Sequence, residues 1–157
     1  MVGHTTRDAF HSPGDWLTAA LPRSADACYR LFCDVERTPA WLPILASAVV
    51  TERDPAGRPR RVAFQASLVR ASIGYSCRYS YYADGRQVAW STPRRSSITV
   101  RGVAQFQPVS AGACVMTYAL DLHVGRGLPP FANAVFGLHA SSATLAAFRD
   151  FAQRALT

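Results

Sequence analysis

The residues of this chain best suited to chemistry are one arginine among tyrosines, two histidines and four cysteines. Arg78 stands inside the run Tyr75-Ser76-Cys77-Arg78-Tyr79-Ser80-Tyr81. Its rigid fork of donors suits a carboxylate, phosphate or enolate oxygen, and inside a cavity it would stabilise an enolate during ring closure. Strand alternation offers the opposite reading: if the tyrosines point inward, Arg78 points to solvent. His123 and His139 titrate near neutral pH, but neither has an acid/base partner at motif spacing, which leaves them surface or structural roles. Cys28 and Cys33 sit in a helical stretch, and Cys77 and Cys114 fall in strand-like stretches. No Cys-x-x-Cys or Cys/His ligand spacing occurs, so buried structural thiols are expected and no metal site. No Ser/His/Asp or Cys/His constellation appears, and no cofactor is implied.

All 17 basic residues are arginine. The absence of lysine excludes a Schiff base, a phosphate-loop lysine and a lysine general base. Against 10 acidic residues the formal net charge is +7, but the arginines are scattered. Only Arg58-Pro59-Arg60-Arg61 and Arg94-Arg95 cluster, both beside turn residues, so a solvated basic surface is expected rather than a nucleic-acid site. If the charge has a partner, an acidic acyl carrier protein, an anionic ligand group or a membrane surface is compatible.

The elements that must position these residues follow from patterning. A chain of 157 residues with 49% hydrophobic and 17% charged residues is expected to fold as one domain around one core. No apolar run is long enough to span a bilayer. Residues 1–14 lack the apolar region of a secretory signal and read as a flexible arm, with a cytoplasmic location as the default. Asp15 to Leu21 suits a strand. Ser24 is an N-cap candidate for a helix whose apolar face is Cys28, Leu31, Phe32 and Val35. Thr38-Pro39 starts a second short helix carrying Trp41, Leu42 and Leu45, and Pro43 limits its length.

From about Ala46 to His123 the period is two. Ala48 to Arg53 ends in the turn Asp54-Pro55-Ala56-Gly57. Strands then follow around Val62–Leu68, Ile73–Tyr82, Val88–Trp90, Ile98–Gln107 and Cys114–Leu122, with Asp84-Gly85 as a hairpin signal. Short turns between them imply an antiparallel meander. Pro129-Pro130 is expected to open a long helix through Leu156, with Phe131, Val135, Leu138, Leu145, Phe148, Ala152 and Leu156 as its apolar stripe. The expected architecture is α+β: about seven curved antiparallel strands wrapped on one long C-terminal helix, with two short helices after the first strand.

Asp34-Val35-Glu36-Arg37-Thr38-Pro39-Ala40-Trp41-Leu42-Pro43 resembles the "D-hydrophobic-E-x-x-P-x-W-hydrophobic-P" signature of the START-like polyketide cyclase/dehydrase family, which also includes coenzyme-Q-binding proteins. Tyr75 to Tyr81 followed by Val88-Ala89-Trp90 resembles its "Y-x-x-R-Y-x-Y … W" strand pair. Gly102, Phe106 and Pro108 resemble its "G-x-x-x-hydrophobic-x-P" strand, and Thr117 to Leu122 with Leu128-Pro129-Pro130 resembles its last strand and helix entry. The likeness spans roughly Asp15 to Leu156 and implies the helix-grip fold for residues 15–157. One departure is Thr92-Pro93-Arg94-Arg95, where many relatives carry an acidic residue. The resemblance implies that Asp34 caps or positions the turn after the first helix.

In that fold a cavity lies between the sheet and the C-terminal helix. The expected lining is Trp41, Phe64, Tyr75, Tyr79, Tyr81, Trp90, Phe106, Tyr118, Phe131, Val135 and Leu138, with Arg78 as the candidate catalytic residue. Such a lining suits a hydrophobic or aromatic small molecule: a lipid, an isoprenoid quinone or a polyketide. The alternative is an aromatase/cyclase-dehydratase that folds a carrier-bound poly-β-ketone. The carrier needs only shape and apolar surface, whereas the enzyme needs polar groups converging in the cavity.

Overall fold

The computed structural model describes residues 16–68, 71–82, 86–96, 98–125 and 141–156. Within them the chain runs β1 (Leu17–Leu21), α1 (Ala25–Cys33), a 3-10 turn (Val35–Arg37), α2 (Thr38–Trp41), β2 (Leu45–Arg53), β3 (Pro59–Leu68), β4 (Ala71–Tyr82), β5 (Gln87–Ser91), β6 (Ile98–Ser110), β7 (Ala113–Val124) and α3 (Ser141–Ala155). The expected arm at residues 1–14 lies outside the described residues, as do Phe131, Val135, Leu138 and His139.

The strands form one antiparallel sheet in the order β1-β7-β6-β5-β4-β3-β2. Consecutive strands from β2 to β7 are neighbours because short connections bring each one back beside the last. The β2–β3 turn shows how local chemistry sets this. Asp54 Oδ1 accepts from the backbone N–H of Ala56 and of Arg58, each at 2.9 Å, and Gly57 takes a φ of 84° that favours glycine. β1 then joins the free edge of β7, pairing Leu17 with Tyr118 and Leu21 with Cys114.

The helices are held at their ends. Ser24 Oγ accepts from the Ala27 N–H at 3.2 Å, and Asp26 and Arg30 lie in the first and last turns of α1, complementing its dipole. Asp34 acts differently from the expected cap. Its side chain makes no capping bond; its backbone N–H donates to the carbonyls of Arg30 and Leu31 and so closes α1. Just before α1, the Arg23 guanidinium donates to the carbonyls of Leu156 and Gln153, at 3.1 and 2.9 Å, satisfying acceptors that the end of α3 leaves open. α3 buries Thr144, Leu145, Phe148, Phe151 and Ala152, a stripe at three- and four-residue spacing. That stripe and the inward strand faces share a single core centred on Phe32, Trp90, Phe106 and Phe148.

Candidate functional site

Strand alternation places the odd-numbered side chains of β4 on the inner face. Ile73, Cys77 and Tyr79 are buried and Tyr75 partly so, while Gly74, Arg78 and Ser80 are exposed. Beside them on the same face stand Phe64 of β3, Trp90 of β5, Val100 of β6, and Tyr118, Leu120 and Leu122 of β7. Phe32 of α1, Thr38 and Trp41 of α2, the following Leu42, Ile44 and Leu45, and Thr144 of α3 close the opposite side. Together they enclose a cavity of about 80 Å³.

The aromatic wall is ordered by strand register. Phe64 and Tyr75 are direct partners across β3 and β4, and their rings stack with centroids 5.4 Å apart. Tyr79 and Trp90 pair across β4 and β5 and stack at 6.0 Å; Trp90 then meets Tyr118 at 5.9 Å. Gly102, opposite Trp90 on β6, is the residue that permits this. A Cβ there would lie 2.1 Å from Trp90 Cε2, so only glycine leaves the indole room to lie across the strand.

Polar atoms in the wall are few. Trp41 is 6% exposed, and its Nε1–H has no hydrogen-bond partner among the described residues. Burial pushes the phenols of Tyr75, Tyr79 and Tyr118 well above their ordinary value, with a Thr144 hydrogen bond partly opposing the rise at Tyr118. Burial also pushes the Cys77 thiol up to about 12. At neutral pH the polar groups of the lining are therefore three neutral phenols, the indoles of Trp41 and Trp90, the hydroxyls of Thr38 and Thr144 and an inert thiol. These groups donate hydrogen bonds to a ligand oxygen but supply neither a base nor a nucleophile. No arginine, histidine or carboxylate is among the described residues that line it.

Six of the residues singled out from sequence come together here: Trp41, Phe64, Tyr75, Tyr79, Trp90 and Tyr118. Three do not. Arg78 is exposed on the outer face, because it alternates with Cys77 and Tyr79; it cannot reach an enolate in the cavity. Tyr81 does face inward, but it is the next inward position after Tyr79, at the end of β4 and outside the lining. There its hydroxyl donates to the Pro59 carbonyl, and the Arg58 guanidinium covers its ring. Phe106, four residues past Gly102, is 1% exposed and packs against Phe32, Phe148 and Tyr29 as core. Phe131, Val135 and Leu138 lie outside the described residues.

The sequence reading omitted Phe32, Thr38 and Thr144 from the lining. Phe32 carried a signal, the helical spacing of α1, but the buried threonines carried none. His123 has a partner that spacing did not suggest: its Nε2 lies 2.9 Å from Asp121 Oδ1, two residues back on the exposed face of β7. All four cysteines are free thiols, with Cys28, Cys77 and Cys114 buried. Among the described residues, no group of three or more His, Cys, Asp or Glu is placed to hold a metal ion, and no helix is long and apolar enough to cross a membrane.

Known proteins share this architecture. A START superfamily protein from Mycobacterium smegmatis superposes with a TM-score of 0.74 at 18% identity, covering 90% of this chain and 97% of that one. The Zhui aromatase/cyclase from a Streptomyces species gives 0.70 at 16% identity, over 90% and 94%. Norcoclaurine synthase from Thalictrum flavum gives 0.61 at 13% identity, over 90% and 91%. At these identities the likeness is one of fold. No curated protein sequence matches the chain. The family profile described as "Polyketide cyclase / dehydrase and lipid transport" matches residues 17–155, the whole span from β1 to the end of α3. With its seven-stranded helix-grip sheet and aromatic cavity, this chain belongs to that polyketide cyclase / dehydrase and lipid transport family.

Proposed function

We propose that the protein binds a small hydrophobic or aromatic molecule bearing at least one oxygen acceptor, held between the sheet and the helices. Planar aromatic ketones, quinones and polyketides have this chemistry. The observation that carries the reading is the unpartnered Trp41 Nε1–H in an otherwise apolar, aromatic wall. A buried donor without an acceptor is costly, and a ligand carbonyl would supply what the protein does not. The protonated phenols offer the same service to further oxygens.

The cavity of about 80 Å³ is smaller than one that holds benzene, roughly 150 Å³. Ligand entry therefore involves outward movement of wall residues. Titration of tryptophan fluorescence with 9-fluorenone tests the reading. Saturable quenching is expected, and a linear response characteristic of collisional quenching alone would contradict it.

The alternative of an aromatase/cyclase-dehydratase acting on a carrier-bound poly-β-ketone has one supporting feature, several neutral donors in the same cavity. It lacks a base or a cation among the described lining residues, and the carrier reading is favoured for that reason.

A further inference from the structure

We infer that the outer face of the sheet carries a second site, separate from the cavity, in which Arg61, Arg78 and Arg94 bind a phosphate ester. These arginines, with Ser76, Ser91 and Thr92, line a groove of about 590 Å³. Register places them there. Arg61 of β3 pairs with Arg78 of β4, Arg78 with Ser91 of β5, and Ser91 with Arg101 of β6. One row across four strands thus reads Arg-Arg-Ser-Arg, with strands roughly 4.8 Å apart.

Like charges in neighbouring positions of such a row repel. Glu52 of β2 is the register partner of Arg61, 3.8 Å away, and Asp121 of β7 is the register partner of Arg101, but among the described residues no carboxylate makes an ion pair with Arg78 or Arg94 in the middle of the row. An anion seated between the guanidinium groups would remove that repulsion.

The rim of the groove is held in place. The Thr92 N–H donates to the Val100 carbonyl, and Thr92 Oγ1 accepts from the Val100 N–H, each at 3.0 Å. The next turn closes through the Ser96 N–H on the Pro93 carbonyl at 3.2 Å, which sets Arg94 on a fixed loop. Because Thr92 Oγ1 is an acceptor in this arrangement, its own hydrogen remains available to a ligand.

The donor set suits phosphate better than carboxylate. A carboxylate presents two oxygens in a plane and is satisfied by one guanidinium fork. A phosphate monoester carries a charge of roughly −1.5 to −2 and three acceptor oxygens. It can engage two or three arginines from different directions and still accept from the hydroxyls between them. The groove volume falls in the range of small-molecule sites. A free phosphate ester and a lipid phosphate headgroup share this chemistry.

Calorimetric titration of the full chain at fixed ionic strength, in a phosphate-free buffer, tests the site. The probes are inorganic phosphate, glycerol 3-phosphate, and phosphatidylcholine vesicles with or without phosphatidic acid. Saturable binding of a phosphate probe is expected. Arg78→Gln and Arg94→Gln should each weaken it about tenfold, while Arg30→Gln, on the exposed face of α1, should leave it unchanged. Glycerol 3-phosphate binding more tightly than inorganic phosphate would assign a free ester. Binding confined to vesicles containing phosphatidic acid would assign a lipid headgroup. Absence of saturable binding to every probe, or binding that survives both substitutions, would overturn the site. Arg78 is exposed and makes no ion pair among the described residues, so its substitution leaves the cavity and the fold as they are.

Discussion

Trp41 ties the local chemistry of this protein to its ligand. Its N–H is buried without an acceptor, a situation that costs about 1–3 kcal/mol unless a partner arrives. The cost is offset by packing: the Trp41 ring meets Phe32 and Phe148 with centroids 5.9 and 5.2 Å away. Trp41→Phe keeps an aromatic ring there and removes the donor. The pair 9-fluorenone and fluorene separates the two contributions, because they share a tricyclic frame and differ in one carbonyl. The substitution should weaken fluorenone about threefold to tenfold more than it weakens fluorene, read from fluorescence titrations of both ligands. Equal losses would assign Trp41 a shape role only. That Trp41 was a candidate lining residue was legible in its sequence motif, but its N–H without a partner among the described residues was not, since that is a property of surroundings assembled from α1, α2 and α3.

The strands explain which sequence expectations held and which did not. Period-two alternation is a local property, so it assigned Tyr75, Tyr79, Trp90 and Tyr118 correctly to the inner face and offered an outward Arg78 as the competing reading. Position along a strand is not local. β4 is 12 residues long, and the helices cover different parts of it, so Tyr75 faces the cavity whereas Tyr81 packs beneath Arg58. Phe106 lies outside the cavity lining for the same reason: its place against Tyr29, Phe32 and Phe148 depends on helix docking. The burial that shapes these strands also sets a pH dependence. Burial raises the thiols of Cys28 and Cys77 to about 12, whereas in the unfolded chain they ionise near their ordinary value of about 8.5. The unfolded state then holds fewer protons than the folded one, so stability falls with rising pH. The contribution is fully present below about pH 8 and is lost progressively from about pH 8.5 towards 12, at about 1.4 kcal/mol per pH unit for each thiol ionised only when unfolded. Urea unfolding midpoints should be level from pH 6.5 to 8 and decline by pH 10; a midpoint unchanged at pH 10 would mean that these thiols are not shielded.

For the whole molecule, element order, strand number and the meander were all readable, because each depended on periodicity and turn residues close together in the chain. The pairing of β1 with β7, which brings Leu17 beside Tyr118 and Leu21 beside Cys114, was not read from the sequence, because nothing local to either strand specifies a partner so far along the chain. The result is a domain with two differently dressed faces: an aromatic cavity inside and an arginine row outside. Part of the positive charge thus has a location, the outer strand row and its loop, and no arginine is among the described residues that line the cavity. The central claim is that the inner face holds an apolar, oxygen-bearing small molecule. Native mass spectrometry of the freshly purified protein tests it most directly. The account expects an added mass that departs on denaturation, and extraction should identify it as an apolar compound carrying a carbonyl or similar acceptor. A spectrum showing only the bare chain, from protein purified without detergent or organic solvent, would contradict it.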